Sequence, residues 1–438
     1  AGRWLAVAVL ALGCVRESPP PPNVLLISLD TTRGDHLSVY GYERRTTPNL
    51  ELLARDGVRF AEAYAPAPTT GPSHATLFTA LAPITHRVVK NGRELKPSFE
   101  TLAERLQAAG WATAGFVSSY VLDARFGWSQ GFEHWDDDFT VETATAMVPK
   151  ESGVEAFDRH ALETTRRTLE WIERGWSRDR PFFLFVHYMD PHDPWVAPRQ
   201  FVQRLRTPDL PQDGISGMVA RYDAEIAFVD HQLGVLLRNL EKQGLAENTL
   251  VAVTADHGEG LLDHGELNHG TQRYEEQLRV PLLLRWPRRL PAGHVVAGPV
   301  SLLDLTPTLL DLVGVPAAPD APMQGQSLRP RIEGAGTPDP EAPVFLFRPD
   351  NTEIPGEQYA VRSGRWKLIV GPGDGRELFD LEADPGERND LSAREAERVE
   401  RLDQQIQGWL REHRRSDVVP DTVTPEDLER LRALGYVP

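Results

Sequence analysis

The chain has 438 residues, a formal net charge of −17 and a hydrophobic content of 40%. This length suffices for one large α/β domain with a smaller appendage. The acidic balance argues against a nucleic-acid partner, because such binding requires a basic surface that neutralises phosphates. With Cys14 as the single cysteine, an intramolecular disulfide is excluded.

The first residues have the pattern of a bacterial secretory leader. Arg3 precedes a short apolar run that ends in Leu12-Gly13-Cys14. The run is too short to cross a membrane as a helix and fits a signal peptide. Leu12-Gly13-Cys14 resembles a lipoprotein processing site, after which prolines up to Pro22 would form an extended tether. We therefore expect residues 1–22 to hold the protein on a bacterial envelope, facing the periplasm or the surface; a disordered expression remnant is the alternative.

Strands and helices are predicted to alternate from residue 23 onward. An apolar run over residues 24–29 ends at Asp30, as expected of a buried parallel strand. The alternation then recurs: helix 48–56, helix 101–109 and strand 112–117, helix 154–173 and strand 182–187, helix 218–241 and strand 249–254. Such repetition predicts an α/β fold with a mostly parallel sheet between helices.

A smaller C-terminal unit is predicted after a Gly/Pro-rich stretch that runs to Pro343. Two short strands near 359–361 and 366–370, followed by helix 393–413, indicate a small α+β subdomain. Leu428, Leu431 and Leu434 follow the spacing of an amphipathic helix that docks on the rest of the protein.

Polar residues stand where three of the predicted strands end. These residues are Asp30, His187 and Asp256. Ligands of open parallel sheets bind at the C-terminal ends of strands. The periodicity alone therefore predicts a binding site formed by these residues.

Several segments resemble motifs of the sulfatase family, within the alkaline phosphatase superfamily, and follow the family's order. They are Asn23 to His36 (NVLLISLDTTRGDH), Thr70-Gly71-Pro72-Ser73-His74, Phe183 to Pro194, Thr254 to Glu259, Leu267 to Gly270, Arg365 to Leu368, and Glu377 to Glu387. The resemblance implies an alkaline-phosphatase-like catalytic domain over 23–335 and a C-terminal subdomain with a tail over 336–438.

Thr70 occupies the position at which a sulfatase carries the cysteine that becomes formylglycine, and His74 replaces the arginine of that motif. Threonine cannot be oxidised to formylglycine. In this position it resembles the nucleophile of phosphodiesterases and headgroup transferases of the same superfamily. The resemblance implies that Thr70 is the nucleophile and that a metal ion activates its weakly acidic hydroxyl; a plain helix N-cap is the alternative.

The resemblance also implies one divalent metal ion, bound by Asp30, Thr70, Asp256 and His257. Thr31 stands where known sulfatases have a second aspartate, and His257 stands where they have an asparagine. An imidazole is a poor ligand for calcium and a good one for manganese or zinc. Mn²⁺ or Zn²⁺ is therefore favoured over Ca²⁺ or Mg²⁺. A helix-start aspartate beside a surface histidine is the alternative for Asp256 and His257.

Four further polar residues match positions around the ester in relatives. His192 and His269 would surround the leaving group, where a protonated imidazole acts as general acid. Asn91 would donate a hydrogen bond to a substrate oxygen, although Asn91-Gly92 also suits a turn. His74 would support the substrate or the metal-bound oxygen.

The sequence thus predicts a metal-dependent hydrolase of sulfate or phosphate esters, acting on a small-molecule, glycan or lipid ester. A covalent Thr70 intermediate can be released only by attack of water on the central atom, which favours phosphate over sulfate esters. Three alternatives remain open: a two-zinc phosphodiesterase-like enzyme that uses Asp190, His192 and His269 for the second ion, a transferase of phosphoryl-linked headgroups, and an inactive cell-surface binding protein.

Lipidation requires the thiol of Cys14. We expect Cys14→Ala to move the protein from the membrane fraction to the soluble fraction when it is expressed in a bacterium that processes lipoproteins. Fractionation followed by immunoblotting measures the distribution. Unchanged membrane association of the variant would contradict the lipoprotein interpretation.

Overall fold

The computed structural model describes residues 20–139, 158–205, 214–334, 339, 341–350, 355–373, 375–415 and 424–433. The predictions for Cys14 and Leu434, and for the start of the helix expected from residue 154, lie outside these ranges. Within them, no helix combines the length and the apolar character needed to cross a membrane.

The main part of the molecule is built on one large sheet. Its strands are β1 (Asn23–Leu29), β2 (Val58–Tyr64), β3 (Ala112–Phe116), β4 (His134–Asp136), β5 (Phe182–Tyr188), β6 (Thr249–Ala255), β7 (Arg279–Val280), β8 (Leu282–Arg285) and β9 (His294–Ser301). In the described part of the chain their order is β4-β3-β5-β1-β6-β8-β2-β7, with β9 also paired to β2.

The strands at the centre of this sheet run parallel, as the βα alternation predicts. Strand β1 lies between β5 and β6 and is parallel to both. Strand β8 departs from the pattern, because it is antiparallel to both β6 and β2. Every residue of β1, β5 and β6 is buried, which explains why their sequences are almost continuously apolar.

Helices cover the sheet. They are α1 (Pro48–Arg55), α2 (Thr70–Thr79), α3 (Pro83–His86), α4 (Leu102–Ala108), α5 (Ala161–Glu170), α6 (Arg199–Leu205), α7 (Gly214–Lys242), α8 (Glu275–Leu278), α9 (Leu305–Val313) and α10 (Arg329–Ile332). Helix α4 begins with a capping box formed by Thr101 and Glu104. Helix α5 begins where Asp190 accepts a hydrogen bond from the Ala161 N–H at 2.9 Å, and it ends in a π-helical turn over Trp171–Gly175.

A second, antiparallel sheet forms the C-terminal part. Its strands β10 (Val344–Arg348), β11 (Gln358–Ser363), β12 (Trp366–Val370) and β13 (Arg376–Asp380) are ordered as in the chain. Helix α11 (Ala396–His413) packs Leu402, Ile406 and Trp409 against one face of this sheet. Helix α12 (Pro425–Ala433) docks on the main part through buried Leu431 and through Asp427, which accepts a hydrogen bond from the Tyr120 hydroxyl at 2.7 Å.

A buried cation joins the two sheets. The Nζ atom of Lys367, on β12, lies 3.0 Å from a carboxylate oxygen of Glu275 in α8 and 2.9 Å from one of Glu387. The side chains of Lys367 and Glu387 are fully buried. Removing one partner of a buried ion pair leaves an uncompensated charge, which is far more costly than the loss of an exposed pair.

We expect Lys367→Met to lower the free energy of unfolding by about 3–5 kcal/mol, because the fully buried carboxylate of Glu387 would lose its cation and the partly buried Glu275 would keep only the hydrogen bond from the Tyr64 hydroxyl as a side-chain partner. Arg365→Met is the matched control, since Arg365 pairs with Asp380 while 44% of its side chain is exposed. Exposed pairs contribute about 0–1 kcal/mol. Urea denaturation measures the free energy of unfolding of both variants. Equal decreases in the two variants would contradict this role of Lys367.

Candidate functional site

Asp30, Thr70, Asp256 and His257 converge at the C-terminal edge of the parallel strands. Asp30 follows β1 directly, and Asp256 follows the neighbouring strand β6. All four residues are fully buried. The strand ends therefore bring together residues that are far apart in the chain, as the periodicity predicts.

Thr70 is the first residue of α2, and its hydroxyl is directed to this cluster. The N-cap residue of α2 is Thr69, in an extended conformation and without a side-chain capping bond. The Thr70 Oγ1 atom lies 3.3 Å from Nε2 of His257. The alternative in which Thr70 serves as the helix N-cap is therefore wrong.

The carboxylates of Asp30 and Asp256 are placed to share a cation. Nε2 of His257 lies 3.8 Å from Oδ1 of Asp30 and 3.5 Å from Oδ2 of Asp256. One ligand atom from each of these three residues lies within 4.8 Å of the other two. Both oxygens of Asp30 and Oδ2 of Asp256 are buried without a hydrogen-bond partner in the described part of the chain. Buried carboxylate oxygens are normally paired or metal-bound, so this set fits a divalent ion.

The electrostatics of the site agree with this interpretation. Burial, and next the charge of Asp30, raise the pKa of Asp256 to about 7. Burial also raises the pKa of Asp30. Burial lowers the pKa of His257 to about 4, so the imidazole is neutral near pH 7 and able to bind a metal through Nε2. Burial without a cation therefore shifts both acids towards the protonated state.

Both ring nitrogens of His74 contact other protein atoms, and one of them contacts Thr70. Its Nδ1 atom lies 2.9 Å from the Thr70 carbonyl oxygen, and its Nε2 atom lies 3.0 Å from Oγ of Ser28. Both ring nitrogens thus have partners inside the protein, and the predicted contact of His74 with substrate is not supported by these bonds.

Asn91 is held beside Thr70 with part of its amide available. Its Oδ1 atom accepts a hydrogen bond from the Gly71 N–H at 2.7 Å. Its Nδ2 atom is buried and has no hydrogen-bond partner among the residues described. Asn91 thus lies against Gly71, the residue after Thr70, and keeps an N–H donor that no described residue accepts, which is compatible with the prediction for Asn91.

His192 and His269 lie next to the acidic cluster. The ring of His269 is 4.4 Å from that of His257 and 5.1 Å from that of His192, measured between centroids. Burial lowers the pKa of His269 to about 4 and also lowers the pKa of His192. The structure therefore brings together the two histidines that the sequence analysis selected for the leaving-group side.

Asp190 does not join these histidines, so the second metal set proposed from the sequence has to be corrected. Its carboxylate accepts the Ala161 N–H at 2.9 Å and lies 3.4 Å from Nε2 of His160. The metal-compatible clusters of the described residues do not include it. The Asp190 carboxylate instead caps the start of α5.

Glu259 joins the site without being predicted, whereas His187 lies there as its place at the end of a predicted strand indicates, and Ser73 belongs to the motif that begins with Thr70. Glu259 Oε1 lies 3.2 Å from Nδ1 of His269. His187 Nε2 lies 3.2 Å from Oδ2 of Asp30, and Ser73 Oγ donates to the Asp256 carbonyl oxygen at 2.6 Å. The sequence signal for Glu259 is its place at the end of the Thr254 to Glu259 motif, two residues after His257, whereas its partner His269 is ten residues further along the chain.

Two family models match the chain. The model described as "Sulfatase" matches residues 22–315, and the model described as "N-sulphoglucosamine sulphohydrolase, C-terminal" matches residues 265–416. The first covers well over half of the chain, including all of the residues proposed above for the site.

Individual relatives and solved structures agree with these matches. Choline-sulfatase of Rhizobium meliloti is 27% identical, over 85% of this chain and 82% of the relative. N-acetylgalactosamine-6-sulfatase of Canis lupus familiaris is 25% identical, over 94% of this chain and 89% of the relative. The crystal structure of Ps i-CgsB with k-i-k-neocarrahexaose has a TM-score of 0.76 at 21% identity, over 95% of this chain and 98% of that one. The phosphonate monoester hydrolase of Agrobacterium radiobacter has a TM-score of 0.71 at 24% identity, over 90% and 96%.

The raised pKa values of Asp30 and Asp256 generate a prediction for the metal-free protein. The folded state binds protons at these carboxyls more tightly than the unfolded chain, so its stability falls as the pH rises from about 4 to about 7. A divalent cation removes this loss at high pH and competes poorly with protons at low pH. We expect Mn²⁺ to raise the Tm of chelator-treated protein by about 5 °C or more near pH 7.5 and by much less near pH 5.

Thermal unfolding with and without Mn²⁺ measures this shift. Asp256→Asn should abolish it, because the variant lacks one of the two carboxylates. An equal shift at both pH values, or a shift that persists in Asp256→Asn, would place the bound cation elsewhere in the protein.

Proposed function

Since the chain belongs to the sulfatase family of ester hydrolases, we propose that it cleaves sulfate or phosphate esters with Thr70 as the nucleophile and one divalent metal ion as the cofactor. The observation that carries this proposal is the position of the Thr70 hydroxyl. Its oxygen is 3.3 Å from Nε2 of His257, next to the buried Asp30 and Asp256, three of whose carboxylate oxygens accept no hydrogen bond from the described residues.

Asp30, Asp256, His257 and Thr70 would hold the ion. When bound, it would supply the positive charge that lowers the pKa of the Thr70 hydroxyl and offsets the negative charge of the ester. The neutral imidazole of His257 favours Mn²⁺ or Zn²⁺ over Ca²⁺. His74 would keep the first turn of α2 in place through its contact with the Thr70 carbonyl oxygen.

In the first step, the Thr70 hydroxyl releases its proton to solvent, and Oγ1 attacks sulfur or phosphorus while the bond to the leaving oxygen breaks. The Nδ2 group of Asn91, which has no hydrogen-bond partner among the described residues, would donate a hydrogen bond to a non-bridging oxygen of the ester. Burial lowers the pKa of His269 and of His192 in the free site, and the negative charge of the bound ester would raise it again, so that one of these imidazolium groups would give a proton to the leaving oxygen as a general acid. The products of this step are the alcohol and an esterified Thr70.

In the second step, water attacks the central atom and releases sulfate or phosphate from Thr70. The histidine that has given up its proton accepts one from this water, which restores the acid, and Thr70 Oγ1 takes back a proton from solvent as its bond to the central atom breaks. Threonine has no aldehyde hydrate through which sulfate could be eliminated. This difference supports the proposal that phosphate or phosphonate esters react faster than sulfate esters.

The organic part of the substrate is proposed from the relatives. Choline-sulfatase and N-acetylgalactosamine-6-sulfatase are named for a small molecule and a sugar. Ps i-CgsB was solved with a neocarrahexaose, and two of the similar structures are phosphonate monoester hydrolases. A small-molecule or glycan ester therefore suits this chain, and the phosphonate hydrolases support including phosphorus esters among the substrates tested.

We expect Thr70→Ala to lower kcat/KM by at least about 10³-fold, because it removes the nucleophile. Thr70→Ser is the matched control, since it retains a hydroxyl, and it should keep measurable turnover. The measurement uses nitrophenyl sulfate, phosphate, phosphodiester and phosphonate esters, with the metal content determined for each variant.

Full activity of Thr70→Ala with its metal retained would exclude covalent catalysis by this residue. A strong preference for the sulfate ester that is lost in Thr70→Ala would contradict the phosphorus preference and leave Thr70 as the nucleophile. Full activity of metal-free wild-type protein would contradict the metal requirement.

A further inference from the structure

A glutamate and a histidine form a buried pair beside the proposed metal ligands. Oε1 and Oε2 of Glu259 lie 3.2 and 3.4 Å from Nδ1 of His269. The Glu259 side chain is fully buried, and only 7% of the His269 side chain is exposed. A carboxylate on one nitrogen of an imidazole sets which nitrogen faces outward, and it also fixes the plane of the ring.

The Glu259 carboxylate is itself held in place by its surroundings. Its Oε1 atom accepts a hydrogen bond from the Gly260 N–H at 3.1 Å. Its backbone N–H donates to the Glu276 carbonyl oxygen at 3.1 Å, and its carbonyl oxygen accepts from Nη1 of Arg33 at 3.3 Å. These bonds leave the carboxylate few alternative orientations, as a positioning role requires.

The partner of Glu259 lies near the proposed nucleophile. His269 is followed by Gly270, whose positive φ of 97° allows a turn that brings the backbone against Thr69, the residue before the nucleophile. The His269 ring is 4.4 Å from the ring of His257, and Nε2 of His257 is 3.3 Å from the Thr70 hydroxyl. With Nδ1 on Glu259, the Nε2 atom is the nitrogen left to exchange a proton.

We propose that Glu259 is a positioning residue that holds Nδ1 of His269, so that Nε2 delivers the proton to the leaving oxygen of the ester. This inference rests on the proposed function. As the bond from sulfur or phosphorus to the leaving oxygen breaks, its electron pair stays on that oxygen, which takes the proton from Nε2. The Nδ1–H bond to Glu259 remains, and water returns the proton to Nε2 in the second step.

The dependence of the rate on the leaving group tests this role. General acid catalysis contributes about 10²–10⁴-fold, chiefly where the leaving alcohol is weakly acidic. We expect Glu259→Gln to lower kcat/KM by less than about tenfold for a nitrophenyl ester and by about 100-fold or more for the phenyl or alkyl ester. His269→Gln should likewise lower kcat/KM more for the less acidic leaving alcohols. The double variant should lower kcat/KM little further than either single variant.

Glu276→Gln is the matched control. Glu276 forms a second buried pair in the same segment, with Oε1 2.7 Å from Nδ1 of His264, and neither side chain contacts the proposed ligands in the described contacts. Its removal takes away an equivalent charge and hydrogen bond. We expect Glu276→Gln to keep the wild-type dependence on the leaving group, even if its stability falls.

The metal content of each variant and the activity of Thr70→Ala distinguish a failure of the positioning role from a failure of the proposed function. If Glu259→Gln lowers kcat/KM by the same factor for every leaving group, the positioning role is overturned, whether the variant loses or retains its metal. Glu259→Asp keeps the charge, so its dependence of kcat/KM on the leaving group should lie between those of wild type and Glu259→Gln. If Glu259→Gln does not fold, Glu259→Asp tests the positioning role. Activity that survives Thr70→Ala would contradict the proposed nucleophile, whereas a leaving-group effect confined to Glu259 and His269 variants would still support their pairing.

Discussion

Two buried carboxylates at the edge of one sheet set the constraint on which the site depends. Asp30 and Asp256 end neighbouring parallel strands, and the ion-pair contacts of both are with imidazoles. Burial of two such charges costs several kcal/mol unless a cation compensates them. A divalent ion would remove this cost and, in the same position, would activate the hydroxyl of Thr70. The same carboxylate oxygens of Asp30 and Asp256 would therefore serve both stability and catalysis.

The segment from Asp256 to Leu278 connects this site to the C-terminal sheet. Its two ends pair with each other, as the Gly258 N–H donates to the Gln277 carbonyl oxygen at 2.8 Å. The Glu275 N–H donates to Glu387 at 2.6 Å, and Lys367 binds both acids. The C-terminal part thus contacts the end of the segment that carries Asp256, His257, Glu259 and His269.

The proposed mechanism differs from that of formylglycine enzymes in its nucleophile. Thr70 begins a buried helix whose first turn is held by His74 and by the bond from Gly71 to Asn91. These contacts hold the backbone that carries the Thr70 hydroxyl. With Thr70 as the proposed nucleophile, the chemical consequence would lie in the second step, where water would attack the central atom. On this proposal, a change of one side chain would alter the preferred ester without altering the fold.

The sequence by itself determined the parts of this protein that depend on local pattern. The apolar runs before Asp30 and Asp256 predicted two buried parallel strands with acids at their ends, and Thr70 to His74 predicted the helix that presents the hydroxyl. Only the tertiary structure decided which polar side chains meet: Asp190 caps α5, Glu259 takes its place beside His269, and His74 contacts Thr70 and Ser28. It also decided that β8 runs antiparallel. Strand and helix patterns repeat over a few residues, whereas these contacts depend on side-chain directions and on the packing of segments up to some two hundred residues apart, which no local period encodes.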